Sequence, residues 1–507
     1  MKAPIKILCL LLSLLFVLGA MAACGTKPPA PDDTGDPQTT SGDPDATTAD
    51  PNQGTQDLSG VDTLAPQYDF RDAAFRILTR GSTSYEFDAD ENVSGALVSE
   101  ETARRNSIVE ERCNVNIEIF TEAGDWDNRD SFSTTIRTNG MSNTSSYELI
   151  AAHSAFIMDV AITGTALDFS TVPNIDITKK WWMKHYYDEC NYNGAIYMMY
   201  GDLAYTLYEY MQVIFFNDTM AKAYHIEDLY DLGLEGDWTW EKFKEYTLMV
   251  NSDPEAGNLQ EYGFLSNAHW QRSIPYALNM NFLERRSDDT FTLPAALDDV
   301  SDRIMTDILN FHVQNTGVYA TGSYSNDWNV CNPIFSAGRA LFYGQELGQS
   351  RNFRVTMKDI YGVLPNPKYD DNQLEYRTGI RDTVTGVMIP SNVANKEMAG
   401  TVTELLSMES RNHVVNAYYG KVLQVRTFND QRCVEMLEII RNSTVLAFAQ
   451  AYSYTLGYPN SLMSGLITAG GDTSPSTGYA NSRNSWNTYL IAMYDTLDAT
   501  AVKLQGK

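Results

Sequence analysis

Aromatic rings set beside carboxylates are the residues of this sequence best placed to do chemistry. Tyr200-Gly201-Asp202 is followed closely by Tyr208-Glu209-Tyr210, and Trp270 lies in the polar run Asn267-Ala268-His269-Trp270-Gln271-Arg272. Ring faces cover weakly apolar C–H surfaces, while carboxylates, amides and guanidinium groups direct hydrogen bonds at hydroxyls. That combination suits the capture of a polyhydroxylated ring. Asp202 is then a candidate acceptor, and Tyr210 and Trp270 are candidate stacking rings. Asp202 and Tyr210 serve equally well as hinge residues, and Trp270 as packing under a loop. Motifs for covalent chemistry are missing: there is no Gly-x-Ser-x-Gly elbow, no His-Glu-x-x-His, no phosphate loop and no dinucleotide fingerprint. The six histidines, at 153, 185, 225, 269, 312 and 413, show no metal-ligand spacing. No catalytic residue, cofactor or metal is assigned. A glycosidase needs only two carboxylates about 5–10 Å apart, and 65 acidic residues always supply a pair, so their number carries no weight.

The elements that must hold such residues come from a chain of 507 residues, 43% hydrophobic and 11% aromatic. This is ample for a sizeable core and longer than one core usually serves, so two lobes are expected. Lys+Arg 37 against Asp+Glu 65 leaves a net charge of -28, which argues against a nucleic-acid partner, since counterion release needs a basic face. Extended apolar segments alternate with amphipathic helical ones, the pattern of α/β layering. Phe75 to Leu78 reads as a strand, Leu97 to Arg112 as a helix, Asn114 to Ile119 as a strand of period two, and Glu148 to Ala152 as a buried strand. Thr239 is a helix cap with Glu241 in the first turn. Asn395 to Met408 carries a helical stripe of Met398, Val402 and Leu405, and Trp486, Leu490, Met493 and Leu497 repeat it; Gly470 to Asn484 reads as a loop.

The N-terminus is an address. Lys2 and Lys6 precede the apolar run Ile7 to Leu18, which is too short to span a bilayer, and small residues follow. Met21-Ala22-Ala23-Cys24-Gly25 resembles the lipobox of bacterial lipoproteins, which implies signal residues 1–23 and a diacylglycerol on Cys24. Residues 24–65, rich in Thr, Asp, Pro and Gly, are expected to be a disordered acidic tether. Cys113, Cys190, Cys331 and Cys433 show no metal spacing and are expected as free buried thiols.

Several segments in order are similar to the extracellular solute-binding protein family 1, the carbohydrate-binding lipoproteins of ABC importers. They run from Ala103-Arg104-Arg105-Asn106 through Lys180-Trp181-Trp182, Tyr200-Gly201-Asp202, Val213 to Asp218 and Gly236-Asp237-Trp238-Thr239-Trp240. Glu261 to Phe264, Phe335 to Phe342, and Tyr361 to Asp370 follow. The later segments, with Ile389-Pro390, also resemble the spine of maltose-binding protein. The resemblance implies a periplasmic-binding-protein-like type II fold, two α/β lobes closing over a ligand. By the same analogy the chain crosses between lobes near residues 205–210, 325–333 and 370–380. One lobe then takes 66–207 and 330–377, the other 208–329 and 378–507.

Within that frame Glu346 stands where the related sugar binders turn from a strand into the cleft, and Arg381 and Asp382 stand where they return to the second lobe. Asp202, Tyr210, Trp270, Glu346, Arg381 and Asp382 form the expected ligand set. Trp181, Trp182, Trp238 and Trp240 are expected to be structural. Asp253, Glu255 and Glu261 fall where some relatives carry a cation loop, but Pro254 and Ala256 interrupt it. The implied role is a monomeric, lipid-anchored receptor outside the bacterial cytoplasmic membrane that hands a mono- or oligosaccharide to permease subunits. The alternatives are a secreted glycoside hydrolase, or the same fold holding a peptide or other non-sugar solute.

Overall fold

Nine strands among the described residues build two sheets: β1 (Ala73–Arg80), β2 (Val115–Glu122), β3 (Leu149–His153), β4 (Gln212–Asn217), β5 (Tyr262–Ser266), β6 (Val318–Ala320), β7 (Ala340–Glu346), β8 (Tyr361–Leu364) and β9 (Thr385–Met388). The structure is a computed structural model and describes residues 60–250, 260–322, 327–423 and 430–505. The signal, Cys24, most of the tether, and Asp253 and Glu255 lie outside these residues.

The first sheet has the order β9-β3-β1-β2, with β2 and β3 parallel to β1 and β9 antiparallel to β3. A parallel pair needs a crossover, and the helix Ala96–Cys113 provides it. Asn114 ends that helix in the left-handed conformation (φ 49), its N–H bonded to the Glu110 carbonyl, so the chain turns directly into β2. β1 runs two residues beyond the expected Leu78 and β3 one beyond Ala152, and both end on polar side chains, Arg80 and His153. β3 is buried along its whole length. Its apolar run therefore shows no alternation.

The second sheet has the order β8-β4-β7-β5-β6. β4 is antiparallel to β7 and β8, with Gln212 opposite Glu346, while β5 runs parallel to β6 and β7. This corrects the expected partition of the chain. β7 and β8, from the stretch 330–377 assigned to the first lobe, belong to the sheet of β4, and β9, assigned to the second lobe, belongs to the sheet of β1. β7 is buried throughout and hydrogen-bonded on both sides, by β4 and β5, so it is central to the second sheet. The stretch near 325–333 therefore joins two strands of one sheet, β6 and β7.

Thr239 caps the helix Trp240–Met249 by accepting from the Lys242 N–H at 3.4 Å, and Asn395 caps Lys396–Glu409 by accepting from that of Met398 at 3.0 Å. The expected loop at 470–484 is wrong beyond Ser474: the helix Pro475–Gln505 starts there. Proline suits a first helical turn, and Tyr479, Trp486, Leu490, Met493 and Leu497 bury one side of that helix. Trp238, Trp240, Phe243, Phe264, Phe311 and Phe342 form an aromatic core beside the second sheet. Trp181 and Trp182 are buried too, and both indole N–H groups donate to Glu404 of the helix Lys396–Glu409, at 2.9 and 2.7 Å. The close approach requires a glycine at 201, where a Cβ would stand 2.3 Å from the Trp181 carbonyl oxygen. Burial pushes the Glu404 carboxyl up to about 8 in spite of the two indole donors. All four cysteines among the described residues are buried thiols outside any disulfide. No described helix is long and apolar enough to cross a membrane.

Candidate functional site

Open α/β sheets collect functional groups beyond the carboxyl ends of their parallel strands, and here two sheets point such ends at one another. Arg80 closes β1, His153 closes β3 and Glu346 closes β7. His269 and Arg272 lie on the helix Ala268–Ala277, which begins two residues after β5. The segment leading into β9 lays Arg381 and Asp382 across the gap, held by the Arg381 N–H bonded to the Tyr210 carbonyl at 2.9 Å. Ser154 Oγ donates to the Asp382 carbonyl at 2.5 Å.

Arg381 is the centre of the cluster. Its Nη1 donates to Glu346 Oε1 at 2.9 Å, and its guanidinium stands 5.4 Å over the Tyr210 ring. Burial pushes the Glu346 carboxyl upward while Arg381 pulls it back. Arg80, almost wholly buried, donates from Nη2 to the Thr383 carbonyl at 2.8 Å and from Nε to Thr83 Oγ1 at 3.0 Å. Glu209 accepts from Tyr85 Oη at 3.1 Å and is bridged by Arg351. His153 and His269 are both held well below the ordinary imidazole value, first by burial and then by neighbouring cations: Arg80 and Arg381 for His153, Arg381 and Arg272 for His269. His153 Nδ1 accepts from the Ala155 N–H at 3.2 Å, which places the ring proton on Nε2.

An aromatic lip adjoins these charges. Trp126 is 42% exposed and meets His153, Tyr454 and Tyr458 with ring centres 6.2, 6.1 and 6.3 Å away. The Arg129 guanidinium lies 4.8 Å over the Trp126 ring. Tyr458 holds a left-handed backbone (φ 63) just before Pro459, a conformation costly for a bulky residue and frequent at ligand sites. Burial raises its phenol, Asp382 and Tyr454 add to that shift, and Arg272 and Arg129 oppose it. Several buried polar atoms here have no partner within the described protein: Tyr458 Oη, Asn460 Oδ1, Thr383 Oγ1 and Arg381 Nε. Unsatisfied buried polar groups cost about 1–3 kcal/mol each, so a hydroxyl-rich ligand would relieve them.

Of the six residues expected from sequence, Tyr210, Glu346, Arg381 and Asp382 come together. Trp270 does not. It is fully buried, its indole N–H bonded to Asn366 Oδ1 at 2.8 Å and its ring 4.9 Å from that of Phe264. A Cβ at Gly344 of β7 would lie 2.6 Å from the indole, so the ring packs directly on that strand and has no face left for a ligand. On the same helix the buried His269 lies close enough to Arg381 and Arg272 for both to disfavour its protonation. Asp202 is likewise withdrawn: it is buried, accepts from Tyr208 Oη, and pairs with Arg411 at 2.8 Å. Arg80, His153, Trp126, Tyr454 and Tyr458 were not foreseen. The signal for the first two was available, since each is the polar residue that closes an apolar strand. Among the described residues no three His, Cys, Asp or Glu side chains converge as a metal site would need.

The sequence matches no family model and no curated protein. Solved structures do match. The galacto-N-biose/lacto-N-biose I-binding protein of a Bifidobacterium longum ABC transporter, in complex with lacto-N-biose, is 12% identical and covers 85% of this chain and 98% of its own, with a TM-score of 0.54. An ABC substrate-binding protein of Listeria monocytogenes in complex with cycloalternan is 12% identical over 82% of this chain and 98% of its own, TM-score 0.53. A designed esterase, 11% identical over 83% of this chain and 99% of its own, reaches a TM-score of 0.58. At such identities the likeness speaks for the fold: this chain has the mixed α/β, periplasmic-binding-protein-like fold found in sugar-binding ABC substrate-binding proteins.

Proposed function

We propose that the chain is the lipid-anchored, extracellular substrate-binding component of an ABC importer, which takes a mono- or oligosaccharide between its two sheets and passes it unaltered to permease subunits. The observation that carries this reading is the meeting of Arg80, His153, Glu346 and Arg381 at strand ends of both sheets, beside the Trp126, Tyr454 and Tyr458 rings. Rings supply faces for sugar C–H surfaces, and the side chains between them supply donors and acceptors for hydroxyls. Each sheet with its helices would form one lobe, and the passages between β3 and β4 and between β8 and β9 would serve as hinges. The ligand would favour the closed arrangement by touching both lobes. Cys24 would carry the lipid, and the protein would act as a monomer.

Binding without turnover fits the state of the carboxylates. Glu346 is engaged by Arg381 and Glu209 by Arg351, so neither stands free as a general acid or base. The test is a thermal-shift screen of the purified chain against a glycan panel, because a ligand that binds only the native state raises the melting temperature. One class of saccharide should stabilise, and no new reducing ends should appear on prolonged incubation. Release of reducing ends would make the protein a glycosidase, and stabilisation by peptides alone would reassign the cargo.

A further inference from the structure

We infer, building on the saccharide reading above, that the ligand is an uncharged oligosaccharide of two or more units, whose outer unit passes the Trp126 lip and settles in a cavity on the helix Arg129–Met141. That cavity measures about 240 Å³. Complete ligand pockets span roughly 300–1,000 Å³, so the space suits one ring of a longer molecule rather than a whole cargo.

Tyr454 and Arg129 belong to the lip and to the cavity wall at once. Tyr454 meets Trp126 with ring centres 6.1 Å apart, and the Arg129 guanidinium lies 4.8 Å over the Trp126 ring. Another wall residue, Phe156, stacks on His153 with ring centres 5.0 Å apart and planes at 30°. The cavity thus adjoins both the lip and the strand end from which His153 joins the cluster around Arg381. A sugar chain that lies on the exposed Trp126 ring therefore has its next unit beside Tyr454 and Phe156.

The wall selects an uncharged ring that bears hydroxyls. Its charged members are the guanidinium groups of Arg129 and Arg137 and the carboxylates of Asp130 and Asp159. These balance, so nothing in the wall calls for an ionic ligand. Arg137 donates to Asp159 at 3.1 Å, and both side chains stay partly open to water, at 37% and 35%. A hydroxyl is donor and acceptor together and can answer both members of such a pair. Arg129 is fixed at the mouth by Nη1, which donates to the Trp126 carbonyl at 2.9 Å. Ser133 and Thr134 add hydroxyls, while Phe156 and Tyr454 supply the apolar surface on which a pyranose C–H face rests. A second hollow shares Asp130 and Thr134 and continues along the same helix past Ser131 and Thr138, which gives a further unit a hydroxyl-lined surface to follow.

The experiment measures, by calorimetry, the affinity of the purified chain for malto-, cello-, xylo-, manno- and galacto-oligosaccharides of one to four units, with oligogalacturonates as the charged control. In the series that binds, the di- or trisaccharide should bind about tenfold or more tightly than its monosaccharide, the worth of one ring contact and a hydrogen bond. Ser133→Phe, which fills the cavity from the helix, should bring the longer probe to within about threefold of its monosaccharide. Arg137→Gln should cost the longer probe about threefold or more, and circular dichroism confirms that each variant is folded. If Ser133→Phe does not fold, Arg137→Gln and the length series still decide. Equal affinity for mono- and oligosaccharides, a folded Ser133→Phe that keeps the full preference for length, or a preference for oligogalacturonates overturns this inference and leaves the saccharide reading standing. Failure of every glycan overturns the saccharide reading and this inference with it.

Discussion

Glu404 should make the protein less stable as the medium turns alkaline. Its side chain is almost fully buried and its two oxygens face the indole N–H groups of Trp181 and Trp182. The charge of Asp176 also disfavours its ionisation. In the folded protein the carboxyl holds its proton up to about 8, against an ordinary value of 4.5. Between those values the folded form therefore keeps a proton that the unfolded chain has released. The sign follows directly: the contribution is intact below pH 4.5 and is lost progressively as the pH rises through 8, with no further loss from this group above that. At 1.36 kcal/mol per unit of displacement, the whole window amounts to about 5 kcal/mol. Glu404→Gln cannot ionise. It keeps one carbonyl acceptor but turns an amide toward the second indole, a cost of about 1–3 kcal/mol at acid pH. Urea midpoints for both proteins from pH 5 to 8.5 provide the assay, the difference between them cancelling the other titrating groups. The wild type should start more stable than the variant and lose that lead by pH 8. A difference that stays constant across the range would refute the reasoning.

Trp270→Ala should destabilise the fold by about 3–5 kcal/mol, as expected for a large ring lost from a core, in chemical denaturation; a variant with native stability would return Trp270 to the ligand site. Arg381→Met strands the buried Glu346 carboxylate, at a cost of about 3–5 kcal/mol, and should abolish saccharide binding. Adding Glu346→Gln should restore much of the stability and none of the binding, read by calorimetry. Trp126→Ala removes a solvent-facing ring, so stability should change by less than about 0.5 kcal/mol while affinity drops roughly three- to tenfold, the worth of one aromatic contact.

Local elements of the fold were legible because their signals are local. The alternation after Asn114, the apolar run before His153 and the caps Thr239 and Asn395 each mark an element within a few residues. Sheet membership was not legible: β7 and β9 are both short apolar runs, and which partner each finds depends on pairing across more than a hundred residues, as between Gln212 and Glu346. The site was half legible for the same reason. Arg381 and Asp382 announce themselves as charges entering a strand, whereas Trp126 and Tyr458 are 332 residues apart in sequence and share no periodicity. Trp270 failed by helical phase. Successive residues on a helix point about 100° apart, so His269 and Trp270 face different surroundings, and nothing in the run Asn267 to Arg272 says which face is core.

Trp126 also makes the protein its own optical gauge. Trp181, Trp182, Trp238, Trp240, Trp270 and Trp486 are buried, whereas Trp126 is 42% open to solvent. A cargo that covers it strips water from that indole while the six buried ones keep their surroundings. Capture would thus register as a blue shift in native emission, without any attached dye, and Trp126→Phe would silence the signal while the cargo still enters.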